Sequence, residues 1–138
     1  MYVTDVWDDI RELTSGYFAG EEAIRELNGD RFHKQQSPIE LLLRIILTST
    51  RVDDFVFDPF AGTGTTLVVA KQLRRRYLGI EIDPVNVDLI KSRLSSIRKS
   101  DDIMKYYPDY FHTENLSNIW GMIGEEKVVD PKGQTRFL

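Results

Sequence analysis

The sequence predicts an α/β domain in which parallel strands are flanked by helices. Three observations carry this prediction. A helix with one continuous apolar stripe precedes a short apolar run at residues 55–57, which is typical of a buried strand. A glycine-rich segment then leads into a second helix, and a second predicted strand at residues 77–82 leads into a third. Two strands joined through a helix in this order form a βαβα unit, whose crossover makes the strands parallel.

The first helix is expected to begin at Pro38. Ser37 and Glu40 have the spacing of a capping box, in which the serine hydroxyl accepts from the N–H of residue 40 and the glutamate reaches back. Its apolar stripe consists of Ile39, Leu42, Leu43, Ile46 and Leu47. The strand at residues 55–57 is entirely apolar, so we expect both of its faces to be buried.

The second helix is predicted over residues 67–76, with a cationic last turn that suits the helix dipole. The strand over residues 77–82 ends in an acidic pair, with Glu81 near its end and Asp83 directly after it. Asp83 followed by Pro84 predicts the start of the third helix. One face of this helix carries Val87, Ile90, Leu94 and Ile97.

The chain divides into three stretches of different composition. Residues 1–32 form an N-terminal segment leading into the fold, with a turn or short helix at residues 7–13 and a helix at residues 20–27. Residues 33–100 form the βαβα core. Residues 101–138 carry two prolines and three glycines and are expected to form an irregular extension.

The amino-acid composition excludes several classes of function. The 138 residues contain no cysteine, which excludes thiol catalysis, zinc–thiolate sites and disulfides, and which suits a reducing cytoplasm. No apolar run is long enough for a transmembrane helix, and the N-terminus lacks the pattern of a leader peptide. Eighteen Lys and Arg against 22 Asp and Glu give a net charge of −4. If the chain acts on DNA, most of the contacts to phosphate must therefore be made elsewhere.

The glycine-rich segment predicts a ligand site. Gly62 and Gly64 lie between a buried strand and a helix, where the backbone can approach a ligand closely and the free helix N–H groups face it. Glu81 follows Gly62 by about 20 residues, at the end of the next strand, where a carboxylate is placed to accept hydrogen bonds from ribose hydroxyls. This combination indicates a ligand that contains ribose.

Three kinds of ribose-containing ligand bind at glycine-rich segments of this type. A P-loop needs a lysine after its last glycine, and none follows Gly64. A dinucleotide fingerprint needs a third glycine where Leu67 stands. S-adenosylmethionine has a ribose but no pyrophosphate, so it does not need that glycine and is the remaining candidate.

The sequence also resembles a known family. Residues 33–38 (H-K-Q-Q-S-P), residues 57–66 (F-D-P-F-A-G-T-G-T-T) and residues 79–83 (G-I-E-I-D) are similar, in order and spacing, to the C-terminal part of amino-group DNA methyltransferases. These are the N6-adenine and N4-cytosine enzymes of the permuted arrangement. Residues 7–10 (W-D-D-I) resemble the tryptophan-containing segment upstream in such enzymes. The resemblance implies a partial Rossmann-like methyltransferase fold, with S-adenosylmethionine as cofactor and DNA as substrate.

The resemblance also implies the roles of individual residues. Residues 60–65 would wrap the cofactor, Glu81 would bind its ribose hydroxyls, Asp58 would face the methionine ammonium and residues 33–37 would close over the methionine carboxylate. Two residues depart from the family pattern: Lys34 replaces proline and Ser37 replaces lysine, which removes a cationic contact. The predicted cofactor-binding residues are Gln36, Ser37, Asp58, Pro59, Phe60, Ala61, Gly62, Thr63, Gly64, Thr65, Glu81 and Asp83.

The catalytic motif of that family is absent from these residues. The motif, (D/N/S)-P-P-(Y/F/W), supplies acceptors for the protons of the target amine and an aromatic ring that stacks on the flipped base. The five prolines here are never adjacent, so we assign no catalytic residue and no metal ligand to this chain. We expect a cofactor-binding half whose exposed strand edge and apolar faces are covered by a catalytic subunit or by a second copy. The alternatives are a non-catalytic S-adenosylmethionine-binding module and a fragment of a nucleotide-binding oxidoreductase.

Overall fold

The computed structural model describes residues 6–10, 13, 20–30, 32 and 35–110, and the backbone of residues 128–129 and 135–136. The helices and strands in chain order are α1 (Ile39–Ser49), β1 (Phe55–Asp58), α2 (Thr65–Gln72), β2 (Arg76–Gly79), α3 (Pro84–Ser95), α4 (Tyr107–Tyr110), β3 (Val128–Val129) and β4 (Thr135–Arg136). Short 3₁₀ turns occupy Gly20–Glu22, Lys99–Asp101 and Ile103–Tyr106. None of the described helices is long and apolar enough to cross a membrane.

Strands β1 and β2 pair in parallel, with Phe55 opposite Arg76 and Asp58 opposite Gly79. The connection between them is α2, and α3 follows β2, so the predicted α/β architecture with a βαβα unit is confirmed. A separate antiparallel pair is formed by β3 and β4.

The core lies on one face of this strand pair. Four residues of the predicted α1 stripe are buried, and Val56 and Tyr77 pack from the sheet against the same cluster. The buried members of the cluster are Ile39, Leu43, Ile46, Leu47, Val68, Val69, Ala70, Leu73, Ile103 and Tyr110. Ile103 and Tyr110 belong to the C-terminal extension. This part of the extension therefore packs into the core as a 3₁₀ turn (Ile103–Tyr106) followed by α4.

The other face of the strand pair is exposed within the described residues. Phe55, Phe57, Leu78 and Ile80 are each 51–54% accessible to solvent. The prediction that both faces of β1 are buried is therefore wrong for the described chain. An all-apolar strand is typical of a sheet that is covered on both faces. In the described residues the helices cover only one face of the strand pair.

The predicted capping box of α1 does not form. Pro38, in an extended conformation, is the N-cap, and the helix begins one residue later than expected. The backbone N–H of Ile39 donates instead to the Glu22 carboxylate, at 2.5 Å. Glu22 lies in a 3₁₀ turn where a helix over residues 20–27 was expected, so that prediction is also wrong.

Helix α2 begins and ends earlier than predicted. After Leu73 the chain turns through Arg74, which has a left-handed φ of 58°, and β2 begins at Arg76. Arg75 is buried and donates to the carbonyls of Leu73 (2.6 Å) and Thr50 (2.9 Å), next to the ends of α2 and α1. The cationic stretch is therefore the turn between helix and strand, and one of its arginines supports both helix ends.

Gly79 lets α2 approach the sheet closely. A Cβ atom at this position would lie 2.6 Å from Leu67 Cδ1 and 3.0 Å from Ala61 Cβ. The close contact that a third glycine in the helix would provide is thus supplied by a glycine in the strand, opposite a leucine.

We expect Gly79→Ala to lower the free energy of unfolding by about 1–3 kcal/mol, because the added methyl group overpacks the contact with Leu67. Urea unfolding measures this. A Leu67→Ala background removes the leucine atoms, which include the nearest one, and leaves the contact with Ala61 Cβ, so the added cost of the same substitution there should be less than half as large. An equal cost in both backgrounds would contradict the packing explanation.

Candidate functional site

The predicted ligand site is built on the bend between β1 and α2, which we call the glycine bend (residues 58–65). Gly62 and Gly64 both have positive φ, 53° and 80°. The N–H of Gly64 donates to the carbonyl of Ala61 at 2.7 Å, and a Cβ atom on Gly64 would lie 2.7 Å from Ile90 Cγ1. Glycine is therefore needed at residue 64 both for its conformation and for the contact between the bend and α3.

The bend presents a helix N-terminus. Gly64 is the N-cap of α2 and has no side chain with which to cap it, so the first N–H groups of the helix are not covered by their own cap residue. Among the described residues, a Cβ atom on Gly62 would meet only the Phe60 carbonyl oxygen, at 3.9 Å, so that part of the chain leaves open space at this glycine. The arrangement suits a polar ligand that lies close to the backbone.

The structure brings Glu81 to this bend. Its carboxylate accepts the N–H of Asp83 at 2.9 Å and the N–H of Gly62 at 2.8 Å. These backbone donors, first that of Asp83 and then that of Gly62, hold the pKa of Glu81 below its usual range despite partial burial. An ionised, half-buried carboxylate thus stands next to Gly62, as the spacing in the sequence predicts.

The remaining predicted residues of the bend divide by exposure. Asp58 is half-buried, and its Oδ1 accepts the N–H of Phe60 at 3.0 Å. Phe60 is 89% exposed beside the glycines, and Pro59 is exposed as well. Ala61, Thr63 and Thr65 are buried under the bend.

The other predicted contacts lie outside the bend. Asp83 accepts the N–H of Val85 at 2.9 Å and caps α3, as predicted. Gln36 is buried, with its side chain bonded to the backbone of Glu22 and Ile24, each at 2.9 Å, and these bonds do not reach the bend. Ser37 is exposed. Their contact with a cofactor stays a prediction, and His33 and Lys34 lie outside the described residues.

Sequence reasoning missed one group beneath the bend. Arg93, 2% exposed, donates from Nη1 to the Thr63 carbonyl at 2.5 Å and from Nε to Asp101 Oδ2 at 3.0 Å. Arg93 stands three positions after Ile90 and one before Leu94, on the inward side of α3. An arginine among core positions is the signal that would have revealed it.

A cavity lies away from the glycine bend. This cavity, of about 720 Å³, lies between the N-terminal segment and the turns after α3, with Glu22, Lys99 and Tyr106 in its lining. None of its lining residues belongs to the glycine bend. Among the residues that the structure describes, no group of three or more His, Asp or Glu side chains is placed to hold a metal ion.

Comparisons with known proteins give the family. Residues 2–92 match the family model described as DNA methylase. The type II methyltransferase M.HinfI of Haemophilus influenzae is 44% identical over 79 residues, which are 57% of this chain and 22% of that protein. The type II methyltransferase M.Cfr9I of Citrobacter freundii is 40% identical over 92 residues, 64% of this chain and 31% of that protein.

A crystal structure of TTHA0409, a candidate DNA modification methylase from Thermus thermophilus complexed with S-adenosyl-L-methionine, is 39% identical to this chain. It aligns with 46% of this chain and 30% of its own, at a TM-score of 0.41. The chain thus spans between about a fifth and a third of the relatives it matches. Because the family model covers residues 2–92, the chain belongs to the DNA methylase family of amino-group enzymes.

Proposed function

We propose that this chain is the cofactor-binding half of a DNA methyltransferase that modifies adenine N6 or cytosine N4. The observation that carries the proposal is the ionised carboxylate of Glu81, held by two backbone N–H groups at the glycine bend. A carboxylate beside an open glycine and a helix N-terminus fits the ribose and the polar groups of S-adenosylmethionine. When bound, this cofactor supplies the methyl group that the exocyclic nitrogen of the base attacks, leaving S-adenosylhomocysteine.

Four side chains at or near the bend have roles in this proposal. Glu81 accepts hydrogen bonds from the ribose hydroxyls, since an ionised carboxylate has four lone-pair sites and the two backbone N–H groups use only part of them. Asp58 faces the methionine ammonium, which needs an anionic neighbour. Phe60 covers the ligand from its exposed position next to Gly62. Ser37 replaces the lysine of the family pattern, so the methionine carboxylate is held without that cation.

The base-binding and proton-accepting residues lie, in this proposal, on a second polypeptide. The exposed sheet face formed by Phe55, Phe57, Leu78 and Ile80 is the surface that this partner would cover. Contiguous apolar side chains of this kind mark interaction surfaces. The partner would also supply most of the DNA contacts, since the net charge of −4 gives this chain little attraction for phosphate. The cysteine-free composition agrees with action in the cytoplasm.

Calorimetric titration tests the cofactor. S-adenosylhomocysteine should bind with one site per chain, whereas NAD should not bind measurably. Binding of NAD alone, or of neither compound, would contradict the proposal. Binding of S-adenosylhomocysteine without methyl transfer under any condition would favour the alternative, a non-catalytic S-adenosylmethionine-binding module.

Co-expression tests the partner. The companion is a neighbouring gene product that carries the (D/N/S)-P-P-(Y/F/W) motif, and methylation of DNA should require both polypeptides. We expect Phe57→Ser to weaken the complex at least tenfold by losing apolar burial, while Leu27→Ser, at a fully exposed leucine elsewhere, leaves it unchanged. Analytical ultracentrifugation measures the complex. Equal effects of the two substitutions, or DNA methylation by this chain alone, would overturn the split arrangement.

A further inference from the structure

A buried guanidinium supports the glycine bend from below. Arg93 Nη1 donates to the Thr63 carbonyl at 2.5 Å and lies 3.4 Å from Thr65 Oγ1, so one nitrogen contacts both the bend and the first residue of α2. Thr63 and Thr65 are themselves 5% and 4% exposed. The contact is therefore made inside the protein, on the side of the bend away from solvent.

The peptide between Thr63 and Gly64 is held from two opposite directions. Its carbonyl accepts from Arg93, and its N–H donates to the Ala61 carbonyl at 2.7 Å. In a trans peptide the C=O and N–H point in opposite directions, so the two bonds together fix the rotation of this peptide plane. That rotation sets the left-handed conformation of Gly64 and hence the direction in which α2 begins.

The guanidinium is in turn fixed by a buried ion cluster. Asp101, fully buried, accepts from Arg93 Nε at 3.0 Å and from Arg98 at 2.6 and 2.7 Å. Arg93 Nη2 is buried and has no hydrogen-bond partner within the described residues. An arginine with an unsatisfied buried N–H group is a costly way to fill space, whereas an apolar residue would do so without penalty. The bonds to the bend are the evident reason for an arginine at this position.

We infer that Arg93 is a positioning residue of the cofactor site, which holds the peptide at residues 63–64 in the orientation that the ligand requires. The inference rests on the proposed function, because it assumes that the glycine bend binds S-adenosylmethionine. It assigns to the segment after α3 an indirect part in cofactor binding, through Asp101.

Arg75 provides a matched control. It is also an almost fully buried arginine that donates to backbone carbonyls, those of Leu73 and Thr50. Its contacts are at the opposite end of α2, and its bonds do not touch the bend. Arg93→Lys and Arg75→Lys therefore make the same chemical change at two ends of one helix.

The experiment compares the two variants with the wild-type chain below their melting temperatures. Arg93→Lys should weaken the binding of S-adenosylhomocysteine by about tenfold in calorimetry, because lysine can reach the Thr63 carbonyl or Asp101 but not keep both bonds. Arg75→Lys should leave the affinity within about twofold of wild type, although it lowers the melting temperature. In ¹H–¹⁵N spectra without ligand, the amides of Gly62 and Gly64 should shift in Arg93→Lys and not in Arg75→Lys.

The outcomes separate this inference from the proposed function. A wild-type chain that binds no S-adenosylhomocysteine would overturn both. If the wild type binds and the two variants lose affinity equally, or if the Gly62 and Gly64 amides do not move in Arg93→Lys, Arg93 only supports the fold and the inference is wrong.

Discussion

Glu81→Gln is expected to weaken the binding of S-adenosylhomocysteine by roughly 100-fold, while the chain remains folded by circular dichroism. The amide of glutamine has one acceptor oxygen and one donor group in place of two charged acceptors. Its NH₂ group must then face either a ribose hydroxyl or a backbone N–H from Gly62 or Asp83. Isothermal titration calorimetry measures the affinity.

Asp88→Asn is the matched control for this substitution. Asp88 is an exposed acid on α3, paired at 3.9 Å with Lys91, and its loss changes the net charge by the same amount. We expect the affinity of Asp88→Asn for S-adenosylhomocysteine to stay within about twofold of wild type. Exposed ion pairs of this kind contribute little to the folded structure. If Glu81→Gln binds as tightly as Asp88→Asn, the assignment of Glu81 to the ribose is wrong.

The pH dependence gives a second readout for Glu81. Its backbone donors lower its pKa, so the ionised form that binds the ligand persists below the usual glutamate range. Affinity should therefore be constant from neutral pH down through pH 4.5, the usual glutamate value, and fall only in more acidic solution. The residual binding of Glu81→Gln should decline less in acid than that of the wild type, because only the contribution of Glu81 is removed.

Asp101→Asn should lower the free energy of unfolding by about 3–5 kcal/mol, since it leaves two arginines without their buried anion. The carboxylate is fully buried and forms ion pairs with both Arg93 and Arg98. Urea unfolding followed by tryptophan fluorescence measures the loss. The neighbouring Asp102→Asn is the control, because its half-buried side chain caps a 3₁₀ turn by accepting the N–H of Met104, which asparagine also does.

The stability of the chain in acid tests whether the charge of Asp101 is responsible for this loss. Burial alone would raise the pKa of Asp101, but the hydrogen bonds from Arg98 and Arg93 lower it on balance. A lowered pKa stabilises the folded chain fully above the usual aspartate value of 3.8, and this stabilisation is lost as the pH falls below it. The difference between wild type and Asp101→Asn should therefore shrink in acid. A small difference at neutral pH, equal to that of Asp102→Asn, would contradict the role of the ion cluster.

The parts of the fold that depend on local pattern were predictable. The strand, glycine bend and helix are set by residues 55–72, and the approach of Glu81 to Gly62 follows from a right-handed crossover between parallel strands. Asp83 as the cap of α3 depends only on its neighbours in sequence. In each case the interacting groups are close along the chain or are brought together by one crossover.

The wrong predictions concern residues whose contacts are with distant parts of the chain. Glu22, 17 positions upstream of Ile39, accepts the N–H of Ile39. No local pattern in the sequence indicates that this bond replaces the capping box. The sequence predicts Arg75 at a charged, exposed helix end. Arg75 is buried instead, and it donates to the hydroxyl and the carbonyl of Thr50, at the end of α1. The exposure of Phe55 and Phe57 is a different case, since their apolar character describes a sheet with both faces covered.

Glu22 connects the turn at Gly20–Glu22 to residues far along the chain. Besides α1, its carboxylate contacts Lys105 and Tyr106, and its carbonyl accepts from Arg98 at 3.0 Å, across a separation of 76 residues. Closing so long a segment has an entropic cost that is recovered only when both ends are in place. The turn at Gly20–Glu22 and the turns beyond α3 are therefore expected to become ordered together, and a peptide lacking one of them should lose protection from hydrogen exchange at the other.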